Sequence, residues 1–370
     1  MKKSLFIIAA AALVVSCANN DVRNEVVQSE KPIGFTKVYI EKGTKAITPG
    51  AYTTGNFETK GNSFGVFGFK TTDTQTDARV FNNVRVEYQD GLTVSTNGYE
   101  ATTDWAYSPL VYWDKTATAY NFFAYAPSDA DFTGTATLTS QDPTKFKIAG
   151  FEQATTQNAM IDLMTDLTSK NGDNKITGTY IGKNDVAFTF GHILSNINVA
   201  MAISPALKDD ETDNPVKVLA VSLSGKIDNK GGYEYSSDAY KWTTTAATTS
   251  LTFSATQSGT SDDQYVFASK ALKASDVAFT DVPALTDLLF VPQAVDDDFA
   301  IYVKYKIKDE IFESTIALKD FKNTSDAALS SWENGKQYTY RIVIGPEPIL
   351  FDVAAVSSWV DGGVYTYTIE

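Results

Sequence analysis

Beyond residue 16, no stretch of this chain sustains the 3.6-residue apolar period of an amphipathic helix. Its apolar residues come in strand-length runs closed by polar turns. Phe64-Gly65-Val66-Phe67-Gly68-Phe69 is a short continuous run that reads as a buried strand, and residues 33–40 mix apolar and polar positions over a strand's length. Val84-Arg85-Val86-Glu87-Tyr88 alternates strictly and stops at the turn dipeptide Asp90-Gly91. Residues 107–113 and 119–127 read as aromatic strands on either side of a short polar break. The pattern returns at 218–223, 251–253, 288–291, 299–307 and 338–344; only 156–164 and 320–329 read as short turns. Thr and Ser are abundant, Pro is sparse, and aromatic residues reach 12%, a mixture that suits half-buried pleated strands. The expected class is all-β, built as antiparallel sandwiches. Polar, turn-rich stretches at 169–175 and 182–185 precede a fresh apolar strand at Val186, which predicts two units, 33–175 and 186–370.

The N-terminus carries an address. Lys2 and Lys3 precede an unbroken apolar run over 5–15, too short to span a bilayer as a mature helix. Val14-Val15-Ser16-Cys17 follows, and Cys17 is the only cysteine of the 370 residues. A lone thiol after a small residue at the end of such a run is similar to a bacterial lipobox, with cleavage before the cysteine and acylation of its thiol and new amine. An ordinary secretory signal is the alternative reading. Residues 1–16 then form the signal peptide and 17–32 a polar tether. Ala18, rather than Asp, follows the cysteine, which by analogy favours the outer membrane. Loss of the signal leaves 29 basic against 45 acidic side chains.

This acidity, without any basic block, argues against nucleic acid as a partner. One Cys and one His leave no disulfide framework, no Cys-rich zinc site and little material for thiol–imidazole catalysis. His192, in Phe190-Gly191-His192-Ile193, has no partner in a known motif nearby and reads as structural. Asp296-Asp297-Asp298 and Asp209-Asp210-Glu211 lack the spacing of a calcium loop and read as solvated turns. There is no Gly-rich phosphate loop and no His-Glu-x-x-His. Paired carboxylates of a glycosidase would be defined only in space. Core packing accounts for the aromatic strands better than a sugar-stacking platform does. The expectation is a chain without catalytic centre, metal or cofactor.

A series of segments then takes on meaning through its order. It runs Ile33-Gly34-Phe35, Thr44-Lys45-Ala46, Phe64 to Phe69, Trp105-Ala106-Tyr107-Ser108-Pro109 with Tyr112-Trp113, and Tyr120-Asn121-Phe122-Phe123-Ala124-Tyr125-Ala126-Pro127. It continues through Asp162-Leu163-Met164, Phe190-Gly191-His192-Ile193-Leu194-Ser195, Phe290-Val291-Pro292-Gln293, Trp332-Glu333-Asn334-Gly335-Lys336-Gln337-Tyr338-Thr339-Tyr340 and Trp359. Together with the lipobox, this order resembles the fimbrillin family, type V pilin-like surface proteins of Gram-negative anaerobes. The resemblance implies two transthyretin-like β-sandwich domains. It also implies a fimbrial subunit that travels as a lipoprotein and is cut by a trypsin-like protease. The cut removes the first strand, 33–40, and a strand from a neighbouring pilin subunit fills the groove. Cys17 is then the lipidation site. The cut falls between Lys45 and Ala46, with Lys42 and Arg23 as alternatives. Lys45 stands where the family often has Arg, which points to broader trypsin-like specificity. Val364, Tyr365, Thr366, Tyr367, Thr368 and Ile369 form a candidate donor strand, with Tyr365, Tyr367 and Ile369 on one face. The same segment also reads as the last strand of its own sandwich. Cell adhesion through a host or bacterial surface ligand is the implied role. Alternatives are an anchor or tip subunit, or a lipid-anchored, non-polymerising adhesin or glycan-binding protein on the outer membrane.

Overall fold

The computed structural model describes residues 28–40, 54–89, 104–166, 175–203, 216–256, 282–307, 310–322, 327–345 and 360–365. These residues are almost wholly β. In chain order the first half contributes β1 (Gln28–Pro32), β2 (Phe35–Ile40), β3 (Ser63–Thr71), β4 (Ala78–Tyr88), β5 (Trp105–Ala106), β6 (Tyr112–Asp114), β7 (Ala119–Ala126), β8 (Thr133–Leu138), β9 (Phe146–Glu152), β10 (Met164–Thr165), β11 (Lys175–Thr177) and β12 (Val186–His192). The second half contributes β13 (Ser195–Ile203), β14 (Lys217–Gly225), β15 (Lys230–Ser236), β16 (Ala239–Thr245), β17 (Leu251–Thr256), β18 (Val282–Phe290), β19 (Gln293–Ala294), β20 (Ala300–Ile307), β21 (Glu310–Ala317), β22 (Ser331–Trp332), β23 (Lys336–Ile344) and β24 (Val360–Tyr365). A single four-residue helical turn, Thr54–Phe57, is the α-helix among the described residues.

The first sheet runs β10-β12-β2-β5-β4-β3-β7-β11. Met164 and Thr165 of β10 also pair with Ala126 and Tyr125 of β7, so the sheet closes on itself. Phe64, Val66, Phe122 and Ala124 point into one core, whereas Phe67, Phe69, Phe123 and Tyr125, one step along in the pleat, point into another. That is why β3 and β7 are apolar at nearly every position: both faces are covered. Gly65 meets Tyr125 across the ladder, and a Cβ there would sit 2.4 Å from the Tyr125 ring.

The second half holds two four-stranded sheets, β18-β13-β23-β24 and β17-β14-β20-β21, which bury one common core. β20 shows the one-sided pattern expected of such a sheet, with Ile301, Val303 and Tyr305 buried and Lys304 and Lys306 turned outward. A further sheet, β16-β15-β9-β8, takes two strands from each half. β9 pairs with β15 from Glu152↔Lys230 to Lys147↔Glu234, and Phe146, Ile148 and Phe151 join the core of the second half.

Two expectations shift. Residues 107–113 are not one strand: Tyr107 and Val111 are tied across a turn by the Tyr107 hydroxyl, which accepts from Val111 N at 3.3 Å, and Pro109 between them has no N–H to give a ladder. Val186–His192, read as opening the second unit, is β12 of the first sheet. Its Phe188 and Phe190 complete the first aromatic core, and the chain passes to the next sheet only at Ser195.

Candidate functional site

β2 is the strand on which the sequence reading turns. It pairs in parallel with β12, Phe35 opposite Val186, Val38 opposite Phe188 and Ile40 opposite Phe190. On its other side Phe35 pairs with Trp105 of β5. Ile33, Phe35, Val38 and Ile40 are at most 4% exposed, while Tyr39 on the opposite face is 48% exposed. Phe35 is caged by aromatic rings: Tyr107 at 5.5 Å, Phe81 at 5.6 Å, Phe64 and Phe188 at 5.9 Å and Phe122 at 6.5 Å between centroids. Most of these contacts are edge-on, the arrangement that ring quadrupoles favour. The Tyr107 hydroxyl donates to the Ile33 carbonyl at 2.7 Å, and burial pushes its pKa up to about 12. Lys31 holds the lead-in segment by an ion pair to Asp185 at 3.0 Å. Burial of the four apolar side chains contributes about 6–12 kcal/mol, of the order of a whole domain's net stability. The groove that β2 fills is therefore apolar, aromatic and unstable when empty.

β24 lies at the edge of its sheet, parallel to β23, with Val364 opposite Thr339 and Tyr365 opposite Tyr340. Within this chain, then, the first two residues of the candidate donor segment sit on their own sheet. Thr366, Tyr367, Thr368 and Ile369 lie outside the described residues, as do Cys17, Arg23, Lys42, Lys45 and Ala46.

His192 has a partner that the sequence did not disclose. Its Nδ1 lies 2.9 Å from Asp162 Oδ1, both side chains being buried, and Asp162 comes from 30 residues upstream. Close by in the same core, Asp287 Oδ1 accepts from Asn196 Nδ2 at 2.8 Å, and the Asp287 amide donates to Asn198 Oδ1 at 2.9 Å. Burial raises the Asp287 pKa to about 6; the Asn196 hydrogen bond and His192 partly oppose this, and Asp162 adds to it. The Ser195 hydroxyl donates to the Glu333 carbonyl, so this polar cluster fixes the crossing between sheets. Asp297 pairs with Lys319 at 2.9 Å and Asp298 accepts from the Lys226 amide at 3.2 Å, as suits a solvated turn. Asp209, Asp210 and Glu211 lie outside the described residues, and among the described residues no cluster of metal-ligating side chains occurs. No helix among them is long and apolar enough to cross a membrane.

No curated protein matches the chain. Among solved structures it is similar to a fimbrial protein from Bacteroides vulgatus, at 23% identity and a TM-score of 0.53 over 85% of this chain and 95% of that one, which shows a shared fold. Weaker likenesses include a candidate cell adhesion protein from Bacteroides ovatus (12% identity, TM-score 0.45, 92% and 99% covered). Another is a fimbrial assembly protein from Parabacteroides distasonis (10% identity, TM-score 0.34, 85% and 92% covered). The sequence model of one family, described as fimbrillin-like, matches residues 44–359, so that β2 and β24 flank the matched segment. With a match over most of its length, the chain belongs to the fimbrillin-like family.

Proposed function

We propose that this chain is a structural subunit of a surface fimbria, assembled by protease-triggered strand exchange and contributing to cell adhesion. The observation that carries this reading is β2: a strand buried on its apolar face, laid in parallel along β12, and lying N-terminal to Lys42 and Lys45. Cleavage after Lys45 by a trypsin-like protease would free β2 at its C-terminal end. The vacated groove would present backbone donors and acceptors of β12 beside an apolar trough, which a strand from another subunit satisfies. Before processing, acylated Cys17 holds the subunit on the outer membrane. The two cores correspond in this reading to two transthyretin-like sandwich domains.

The test is N-terminal sequencing of protein from native surface fibres, alongside a Lys42→Ala, Lys45→Ala double variant. Fibres should begin at Ala46 and the variant should remain monomeric. Fibres that begin at a lipidated Cys17 would overturn the stalk assignment in favour of an anchor subunit. The pairing of β24 with its own sheet favours one second reading, a non-polymerising, lipid-anchored adhesin. That reading requires an intact N-terminus and no fibres.

A further inference from the structure

Among the described residues the exposed large apolar side chains are Tyr39, Tyr112, Tyr180, Tyr235, Ile311 and Phe312. A tyrosine keeps a hydroxyl for water. Ile311 and Phe312 have none, yet they are 47% and 38% exposed, adjacent in sequence, and both on β21. β21 is the outer strand of the sheet β17-β14-β20-β21. An edge strand offers a row of unpaired N–H and C=O groups, and proteins blunt such edges with proline, bulges, lysine or short length. The other edges of the four-stranded sheets each carry one of these devices. β18 has Pro283 and two register shifts, β8 has Gly134 and one shift, and β24 has Gly362, Gly363 and one shift. β16 exposes Lys241, and β17 is six residues long with Thr252 and Ser254 turned to water. β21 has none of them. It runs for eight residues without proline, glycine or lysine, in unbroken register with β20 from Ala317↔Ala300 to Glu310↔Ile307. Its central charge is neutralised: Glu313 stands opposite Lys304 and is ion-paired to it at 2.8 Å, drawn back onto its own sheet.

We propose that β21 is an interface between two copies of this chain, which pair edge to edge and antiparallel about a two-fold axis at Ser314. On β21 the core side is marked by Phe312, Ser314 and Ile316, which stand opposite the buried Tyr305, Val303 and Ile301. Residues opposite one another in an antiparallel ladder share a face, so only registers centred on a residue bring core side to core side. A centre at Glu313 sets that carboxylate against its own copy and Phe312 against Ser314, an unfavourable pairing of like charges. A centre at Phe312 shortens the ladder and sets Ile311 against Glu313. A centre at Thr315 requires Leu318, whose amide is already bonded to the Phe299 carbonyl at 2.8 Å. The centre at Ser314 sets Phe312 opposite Ile316, Ile311 opposite Ala317 and Glu313 opposite Thr315, each twice, with Ser314 opposite itself. Apolar side chains then meet apolar ones on both faces, and no charge meets its like. The ladder covers residues 311–317, about 23 Å of each strand at about 3.3 Å per residue, and the two sheets become one. The contact is narrow, so a single pair associates weakly and reversibly. Being two-fold, it closes at two copies. It needs neither cleavage nor a fibre and is independent of strand exchange; in fibres built as proposed above it would tie one fibre sideways to another.

The test uses the uncleaved full chain carrying Cys17→Ala, which removes its only cysteine. Directly opposed Cα atoms in an antiparallel pair lie about 4.5–5.5 Å apart, within the span of a disulfide. Ser314→Cys in this background should therefore give a disulfide-linked dimer under mild oxidation with diamide. Thr315→Cys should do so at least about tenfold more slowly, because its own copy lies two residues along the opposing strand, beyond the reach of about 7 Å. Sedimentation equilibrium of the Cys17→Ala chain up to about 0.5 mM should show a reversible dimer. Ser314→Lys, which sets two ammonium groups face to face, should raise its dissociation constant about tenfold. Circular dichroism melting establishes that each variant is folded. A monomer at every concentration, cross-linking no faster at 314 than at 315, or a dimer indifferent to a folded Ser314→Lys overturns the proposal. Each of these results leaves the strand-exchange reading untouched, since no cleaved chain takes part.

Discussion

Phe35→Ala is the sharpest perturbation of the groove. The ring is fully buried and touches Phe64, Phe81, Tyr107, Phe122 and Phe188, which belong to β3, β4, β7, β12 and the turn after β5. Truncation removes the transfer free energy of the ring and leaves a cavity that rigid neighbouring rings fill poorly, a loss of about 3–5 kcal/mol. Tyr39→Ala on the same strand is the control. With half its surface in water, it should change stability by no more than about 0.5 kcal/mol. Urea denaturation of the uncleaved chain, followed by tryptophan fluorescence, measures both, and Trp105 beside Phe64 reports from the affected core. Phe35→Ala should also expose the segment after β2 to protease at lower urea. Equal, small effects of the two substitutions would refute the claim that Phe35 anchors β2.

Asp287 carries a pH signature. Its folded pKa of about 6 lies above its ordinary 3.8, so the folded chain holds the proton more tightly. The contribution of Asp287 to stability is then fullest below pH 4 and is lost, by about 3 kcal/mol, as pH rises through 6; Asp287→Asn should remove that component of the slope and stabilise the chain at pH 7. Gly335→Ala should destabilise by about 1–3 kcal/mol in thermal unfolding, since φ is +67° and the new Cβ would lie 2.8 Å from the His192 carbonyl oxygen. Cys17→Ala should abolish labelling by a fatty-acid probe and move the protein out of the outer-membrane fraction; unchanged labelling refutes lipidation there.

How legible this fold was depended on where each strand finds its stabilisation. β3, β7, β20 and β23 announce themselves because their own side chains carry the apolar pattern. The sheet shared between the halves does not. Thr133-Gly134-Thr135-Ala136-Thr137-Leu138 and Lys230-Gly231-Gly232-Tyr233-Glu234-Tyr235-Ser236 are polar and glycine-rich, and become strands because neighbours offer them a ladder. β2 was readable as a strand, but not its parallel mate, since Phe35 and Val186 are brought together only by the closure of the sheet. The Asp162–His192 pair was hidden for the same reason: no local motif encodes a contact made by folding. The unit boundary drifted because polarity at 182–185 marks a turn, whereas membership of a core is decided by Phe188 and Phe190.

The sheet that borrows β8 and β9 from one half and β15 and β16 from the other also governs how a subunit bears tension. If subunits join through the β2 groove at one end and β24 at the other, as the proposed strand exchange requires, a pull would enter through the first sheet and leave through the second. If the halves met only at the short link after His192, the load would concentrate there and the subunit would hinge. With β9 laced to β15, and Phe132, Ile148 and Phe151 sunk into the far core, the strain is spread over a row of hydrogen bonds and a packed interior that must fail together. On the proposed strand exchange the subunit would be stiff along the fibre, and the exchanged strands between subunits would be the weakest links in the chain of force.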